Sequence, residues 1–141
     1  LRGLYCLCLR VGRRLTVRVG ALGSITFEPG LYIYVGSAKS GVEQRVRRHL
    51  RMSRGEGRIH WHIDYLLREE SVEVEAVYAR EDGVGECEVA SQLSGFGVVI
   101  EGFGSSDCRC PGHLIRVDRC DLPLQLGFKP LASPLNRLRD E

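Results

Sequence analysis

Lysine is nearly missing from this 141-residue chain: Lys39 and Lys129 are the only two among 20 basic residues, so arginine carries almost all the positive charge. Methionine and tryptophan occur once each, as Met52 and Trp61, and proline five times. No tract is built from one or two residue types, which excludes a collagen-like or low-complexity disordered chain. No apolar run approaches the roughly 20 residues that a membrane-spanning helix needs. The first residues also lack the basic, apolar, small-residue order of a signal peptide. We therefore expect a soluble, cytoplasmic protein with no membrane partner. What is present, 43% apolar and 27% charged residues, fits one domain around a single core.

The net charge of +2 hides an asymmetry. Residues 1–62 carry 12 Lys/Arg against Glu28, Glu43 and Glu56, whereas residues 63–141 carry 8 against 15 acids. A basic half suits a polyanion, and arginine in particular offers a planar fork to phosphate; an acidic half leaves carboxylates for a metal. The alternative is that the halves interleave in space and cancel.

Six cysteines raise a second question. Cys6 and Cys8 share one face of an apolar strand and read as small core residues. Cys87, Cys108, Cys110 and His113 are four soft donors able to surround Zn²⁺, although the spacing is not the usual pair of ligand arms. A disulfide or buried thiols are the competing readings.

Residues 3–11 are apolar on both faces and predict a central strand; residues 15–20 and 24–28 predict two short ones. Leu31–Val35 predicts a second buried strand, entered through Pro29-Gly30 and left at Gly36, with Tyr32 and Tyr34 on one face. Val42, Val46 and Leu50 recur at helical spacing over residues 41–53 and put Arg45 and His49 at the edge of the buried stripe. Arg47, Arg51 and Arg54 point the other way. A second helix is expected over residues 59–70, with Ile59 in its core face. A half-exposed strand should follow over residues 72–79, with Val72, Val74, Ala76 and Tyr78 on one side. A third helix over 85–93 carries Glu86 and Glu88, and short strands near 98–100 and 114–117 complete the order. This predicts an α+β domain with a small mixed or antiparallel β-sheet flanked by helices. One domain is expected over 1–141, with its core at about 3–117 and an extension at 118–141.

The chemistry concentrates in Tyr34-Val35-Gly36-Ser37-Ala38-Lys39, followed by Arg45 and His49. Glycine at 36 lets a ligand approach the backbone. Arg45 can grip a phosphodiester, Tyr34 offers a phenol and His49 an imidazole. A carboxylate holding Mg²⁺ would complete a phosphodiester-cleaving set.

These residues resemble the GIY-YIG endonuclease superfamily. Its first signature looks like Gly3-Leu4-Tyr5, with Gly30-Leu31-Tyr32 a competing match, and its second like Tyr34-Val35-Gly36. The spacing of Arg45 and His49 resembles phage intron-homing members. The chain is also similar to an archaeal branch, the Uri superfamily. That likeness rests on residues 30–38, His60-Trp61-His62-Ile63-Asp64-Tyr65, Glu86-Cys87 and residues 102–108, and covers about residues 3–117. Here an extra hairpin separates the two signatures.

The resemblance implies an endonuclease dependent on Mg²⁺ or Mn²⁺ that hydrolyses DNA phosphodiesters in repair or recombination. Tyr5, Tyr34, Arg45, His49 and His60 would be catalytic, and Glu86 (or else Glu88) would bind the metal. Gly36, Ser37, Lys39, Arg47, Arg48 and Arg51 would contact DNA, and a DNA-repair glycosylase is a possible partner, since such a domain is fused to some members. Two other readings stay open: a nucleic-acid-binding module of the same fold that does not cut, and a zinc-stabilised interaction domain. His62 and His113 are expected to make hydrogen bonds within the core.

Overall fold

A computed structural model of the chain describes residues 3–81, 85–105 and 109–131. Cys108 and residues 132–141 lie outside the described residues. Strand β1 (Gly3–Val11) is flanked by β4 (Gly30–Ala38) and β5 (Val72–Arg80), and is almost wholly buried, because its run of apolar residues can line two cores at once. Outward from β4 follow β7 (Leu114–Val117) and β6 (Gly97–Val99); outward from β5 comes β8 (Lys129–Pro130). Every pairing in this six-stranded sheet is antiparallel. The expected extra hairpin is formed by β2 (Leu15–Arg18) and β3 (Ser24–Phe27), which make a separate two-stranded sheet.

Side-chain alternation along β1 divides the interior. Tyr5, Leu7, Leu9 and Val11 pack with Tyr34 of β4, with Val42, Val46 and Leu50 of α1 (Val42–Ser53), and with Ile63 and Leu66 of α2 (His62–Leu67). Leu4, Cys6 and Cys8 pack on the opposite face with Val89, Ala90 and Leu93 of α3 (Glu86–Ser94). The chain is therefore an α+β domain: one antiparallel sheet between two helical layers.

Five sequence expectations are corrected. The second helix is only His62–Leu67 rather than 59–70, since the Asp64 carboxylate binds the backbone N–H groups of His60 and Trp61 and stops the helix from starting earlier. Ile59 consequently lies outside the core, 40% exposed. In the pairing with β5, Cys8 faces Ala76 and Leu9 faces Val74, so Glu75 is a bulge that no β1 residue faces in the ladder. The bulge inverts the alternation: Val72 and Val74 join the α1 side, but thereafter Val77 and Ala79 do, while Ala76 and Tyr78 turn to the other face. Cys8 is not a simple core thiol. It forms a disulfide with Cys120.

Nor does the fold stop at Val117. Leu122 and Phe128 enter the α3-side core, and β8 pairs with β5. The disulfide spans 112 residues of sequence, a separation at which cross-linking restrains the unfolded chain strongly. Reduction, or the paired Cys8→Ala and Cys120→Ala change, should lower unfolding free energy by about 2–4 kcal/mol. Denaturant titration with and without reductant checks this; an unchanged midpoint would contradict it.

Candidate active site

Antiparallel pairing sets Tyr5 of β1 directly opposite Gly36 of β4. A Cβ at position 36 would run into the Tyr5 phenol, so glycine there makes room for that ring. Gly36 also borders the cavity described below. Tyr34, two residues earlier on the same face, brings its ring centroid within 6.5 Å of that of Tyr5. Behind Tyr5 lies His49 of α1, expected at the stripe's edge but found fully buried. The Tyr5 hydroxyl lies 2.7 Å from His49 Nε2. Burial pushes the His49 pKa down to about 3, so the ring is neutral at ordinary pH, and the phenol and Nε2 share one hydrogen bond. Burial, and next the neighbouring Tyr34, hold the Tyr5 pKa well above the usual phenol value, against the opposing charge of Arg45. Tyr34 is raised too, by burial and then by Glu86. Both phenols are neutral.

The loop before α2 supplies the third wall. Asp64 is inaccessible to solvent and accepts both arms of the Arg48 guanidinium at 2.9 Å, together with the N–H groups of His60 and Trp61. Its carboxyl lies below its usual range because those hydrogen bonds, Arg48 first, overcome the opposing effect of burial. Arg48 was expected on DNA; its fork is instead committed to this ion pair. The guanidinium carbons of Arg48 and Arg45 stand 4.2 and 4.6 Å from the Trp61 ring centroid. Arg45 also donates to the Ser37 carbonyl at 3.2 Å. It is thus fixed from two sides while remaining half-exposed.

A cavity of about 230 Å³ opens between these walls, lined by Tyr5, Tyr34, Gly36, Ser37, Arg45, His60, Trp61, His62, Glu86 and Gly104. Glu86 begins α3, on the far side of the sheet, yet reaches the cavity because β7 pairs with β4 only from Leu31 to Tyr34. Val35 still donates its N–H to the His113 carbonyl; past it, Gly36–Ala38 have no strand beside them on this side among the described residues, and groups from both faces meet around the end of β4. The Ser37 hydroxyl, 3.4 Å away, donates to Glu86. Glu88 is exposed and outside the cavity. The hard oxygens of Glu86 and Ser37 suit Mg²⁺ or Mn²⁺, which usually takes one or two carboxylates and completes its shell from water or phosphate.

Tyr32 is elsewhere, buried and donating to the Glu28 carbonyl. Lys39 is exposed beside Glu81 and Glu86 in an adjoining groove of about 720 Å³. Arg51 is exposed and, with Arg58 and His60, borders a depression next to the cavity; Arg47 is half-buried on α1. Trp61 and His62 were assigned no role at the site from sequence. His62 Nδ1 accepts the Gly104 N–H at 2.9 Å, as a core histidine should, and also lines the cavity. Gly104 adopts φ +72°, and a Cβ there would crowd Tyr34 and His113. The adjacency of both residues to His60 was the available signal.

A second cluster lies next to Glu86. The donor atoms of Cys87, Cys110 and His113 lie within 4.8 Å of one another, an arrangement that could hold a metal.

Fold and site thus define an antiparallel α+β domain with a polar cavity at a sheet edge. Residues 4–127 match the family described as "Domain of unknown function DUF123", and the chain belongs to it. No curated protein and no solved structure matches the chain. No helix among the described residues is long and apolar enough to cross a membrane.

Asp64→Asn should cost about 3 kcal/mol, since it leaves Arg48 without its counter-charge; urea unfolding followed by the fluorescence of the lone Trp61 reads both stability and loop order. Between pH 6.5 and about 3 the unfolded chain protonates His49 and the native chain does not, so stability falls as pH drops through that window. His49→Gln should make that slope shallower in denaturation curves taken at several pH values. An unchanged slope would show that His49 does not contribute.

Proposed function

We propose that this protein is a divalent-metal-dependent endonuclease that hydrolyses phosphodiester bonds in DNA, as its resemblance to the GIY-YIG superfamily implies. The observation that carries the reading is the convergence of Tyr5, Tyr34, Arg45, His60 and Glu86, drawn from four elements and a loop, on one solvent-open cavity. Uncharged phenols stand there beside a fixed guanidinium and a carboxylate. They are the parts needed to orient water and neutralise charge at a phosphate.

Arg45, held by Trp61 and the Ser37 carbonyl, binds the scissile phosphate and offsets the negative charge that builds on its oxygens. In this reading neutral His49 is the tautomer whose Nε2 accepts from the Tyr5 hydroxyl, which leaves the Tyr5 oxygen lone pairs for the cavity, where they accept a hydrogen of the attacking water. As that water attacks phosphorus, its proton can move to Tyr5 while the Tyr5 proton moves to His49 Nε2. This relay avoids a phenolate, which burial disfavours. The imidazolium it creates is also disfavoured by burial, and the negative charge of Asp64 partly offsets that. His49 is therefore a positioning residue that acts through Tyr5. Tyr34 donates to the phosphate, and His60, exposed at the mouth, can return a proton to the leaving oxygen. Glu86 and Ser37 would hold Mg²⁺ or Mn²⁺, which when bound supplies further Lewis-acid stabilisation. Arg51 and Arg58 extend the basic surface outward from His60 and suit contacts with the DNA backbone.

The test is cleavage of a panel of nicked, flapped and duplex DNAs with Mg²⁺ or Mn²⁺. Arg45→Ala should lower the rate about 10²–10³-fold, Tyr5→Phe should lower it with little change in DNA affinity, and omission of both metals should abolish it. Arg51→Ala should instead weaken binding and flatten its salt dependence. Salt-sensitive binding by the wild type without cleavage of any substrate would replace this reading with that of a non-catalytic nucleic-acid-binding module.

A further inference from the structure

We propose that Cys87, Cys110 and His113 bind one Zn²⁺-class ion, which pins the first turn of α3 to the segment leading into β7 and so holds Glu86 towards the cavity. Cys87 is the second residue of α3, Cys110 lies in the loop before β7, and His113 immediately precedes that strand. His113 Nε2 lies 2.9 Å from Cys110 Sγ and 3.4 Å from Cys87 Sγ, and the two sulfurs are 3.0 Å apart. A tetrahedral ion with Zn–S near 2.3 Å and Zn–N near 2.0 Å separates its ligand atoms by about 3.5–3.8 Å. Insertion therefore needs these three atoms to spread by less than about 1 Å.

The donor set is the argument for this class of ion. Two thiolates and an imidazole select a soft or borderline metal over Mg²⁺, and His113 is almost fully buried, as a structural ligand should be. A simple Cys87–Cys110 disulfide would give no reason for an imidazole nitrogen to approach both sulfurs. The other ring nitrogen, Nδ1, lies 3.9 Å from Glu86 Oε2. A small rotation makes this the carboxylate–histidine–metal arrangement that orients such ligands. His113 is held from its backbone as well, its carbonyl accepting from Val35 and its N–H donating to Phe103. The ion would thus tie β4, β7 and α3 together where the sheet's edge opens. The fourth coordination position is left to a ligand other than these three.

Zinc binding does not depend on the nuclease reading; the consequence for Glu86 does. Full-length protein purified in metal-free buffers should contain about one zinc per chain by elemental analysis. Replacement by Co²⁺ should produce thiolate-to-cobalt charge transfer and intense tetrahedral d–d bands. Cys110→Ser and His113→Ala should lose the zinc, while Cys6→Ala retains it. The cobalt spectrum of the wild type decides the matter even if those variants fail to fold. Zinc-free protein without charge transfer, or a non-reducing peptide map joining Cys87 to Cys110, would overturn the site. Removing the zinc should also weaken Mn²⁺ binding about 10-fold by electron paramagnetic resonance. Unchanged Mn²⁺ affinity would overturn the coupling to Glu86 and leave zinc binding standing.

Discussion

The Asp64 carboxylate has no contact with solvent, yet it receives four hydrogen bonds, two from Arg48 and two from the backbone at His60 and Trp61. An ion pair with one member so deeply buried gains little over apolar packing in stability, because desolvation opposes the attraction, but it is sensitive to the loss of its partner. Here the pair fixes geometry. It joins α1 to the loop before α2, sets the Trp61 ring, and thereby gives Arg45 a surface to stand on. Arg45 owes its placement to a carboxylate that it does not itself touch.

A second constraint comes from the sheet. The β1–β4 register brings Tyr5 across from Gly36, and among the described residues Gly36–Ala38 at the tip of β4 have no strand beside them on the β7 side. Tyrosines from the α1 face and a glutamate from the α3 face can therefore approach one another around an edge, without crossing the sheet. The disposition explains why residues 81 positions apart, Tyr5 and Glu86, can belong to one cavity.

Much of this was legible from residue patterning. The doubly apolar run of β1, the alternation of Leu31–Val35 and the Val42, Val46, Leu50 stripe are strong local signals, since each element buries the face that its sequence advertises. Other features were not legible because their causes lie far away in the chain. The bulge at Glu75 arises in pairing with β1, so the alternation seen along residues 72–79 continued through a point where the real one inverts. The short α2 depends on Asp64 reaching back to two N–H groups, which competes with helix formation. Cys8 looked like packing material because its partner is 112 residues away. Among the site residues, the pairing of Arg48 with Asp64 was hidden for a similar reason: nothing near Arg48 in the sequence announces a buried carboxylate 16 residues later. Trp61 and His62 gave a signal only through their place beside His60.

The bond between Cys8 and Cys120 encloses every cavity-lining residue except Tyr5 within one covalent ring. A protease that severs one peptide bond within that ring, for instance in the exposed stretch 54–60, would not divide the protein into two molecules. The fragments would travel together until a reductant parted them, so the chain can be nicked beside its own cavity and still keep both sides of that cavity in register.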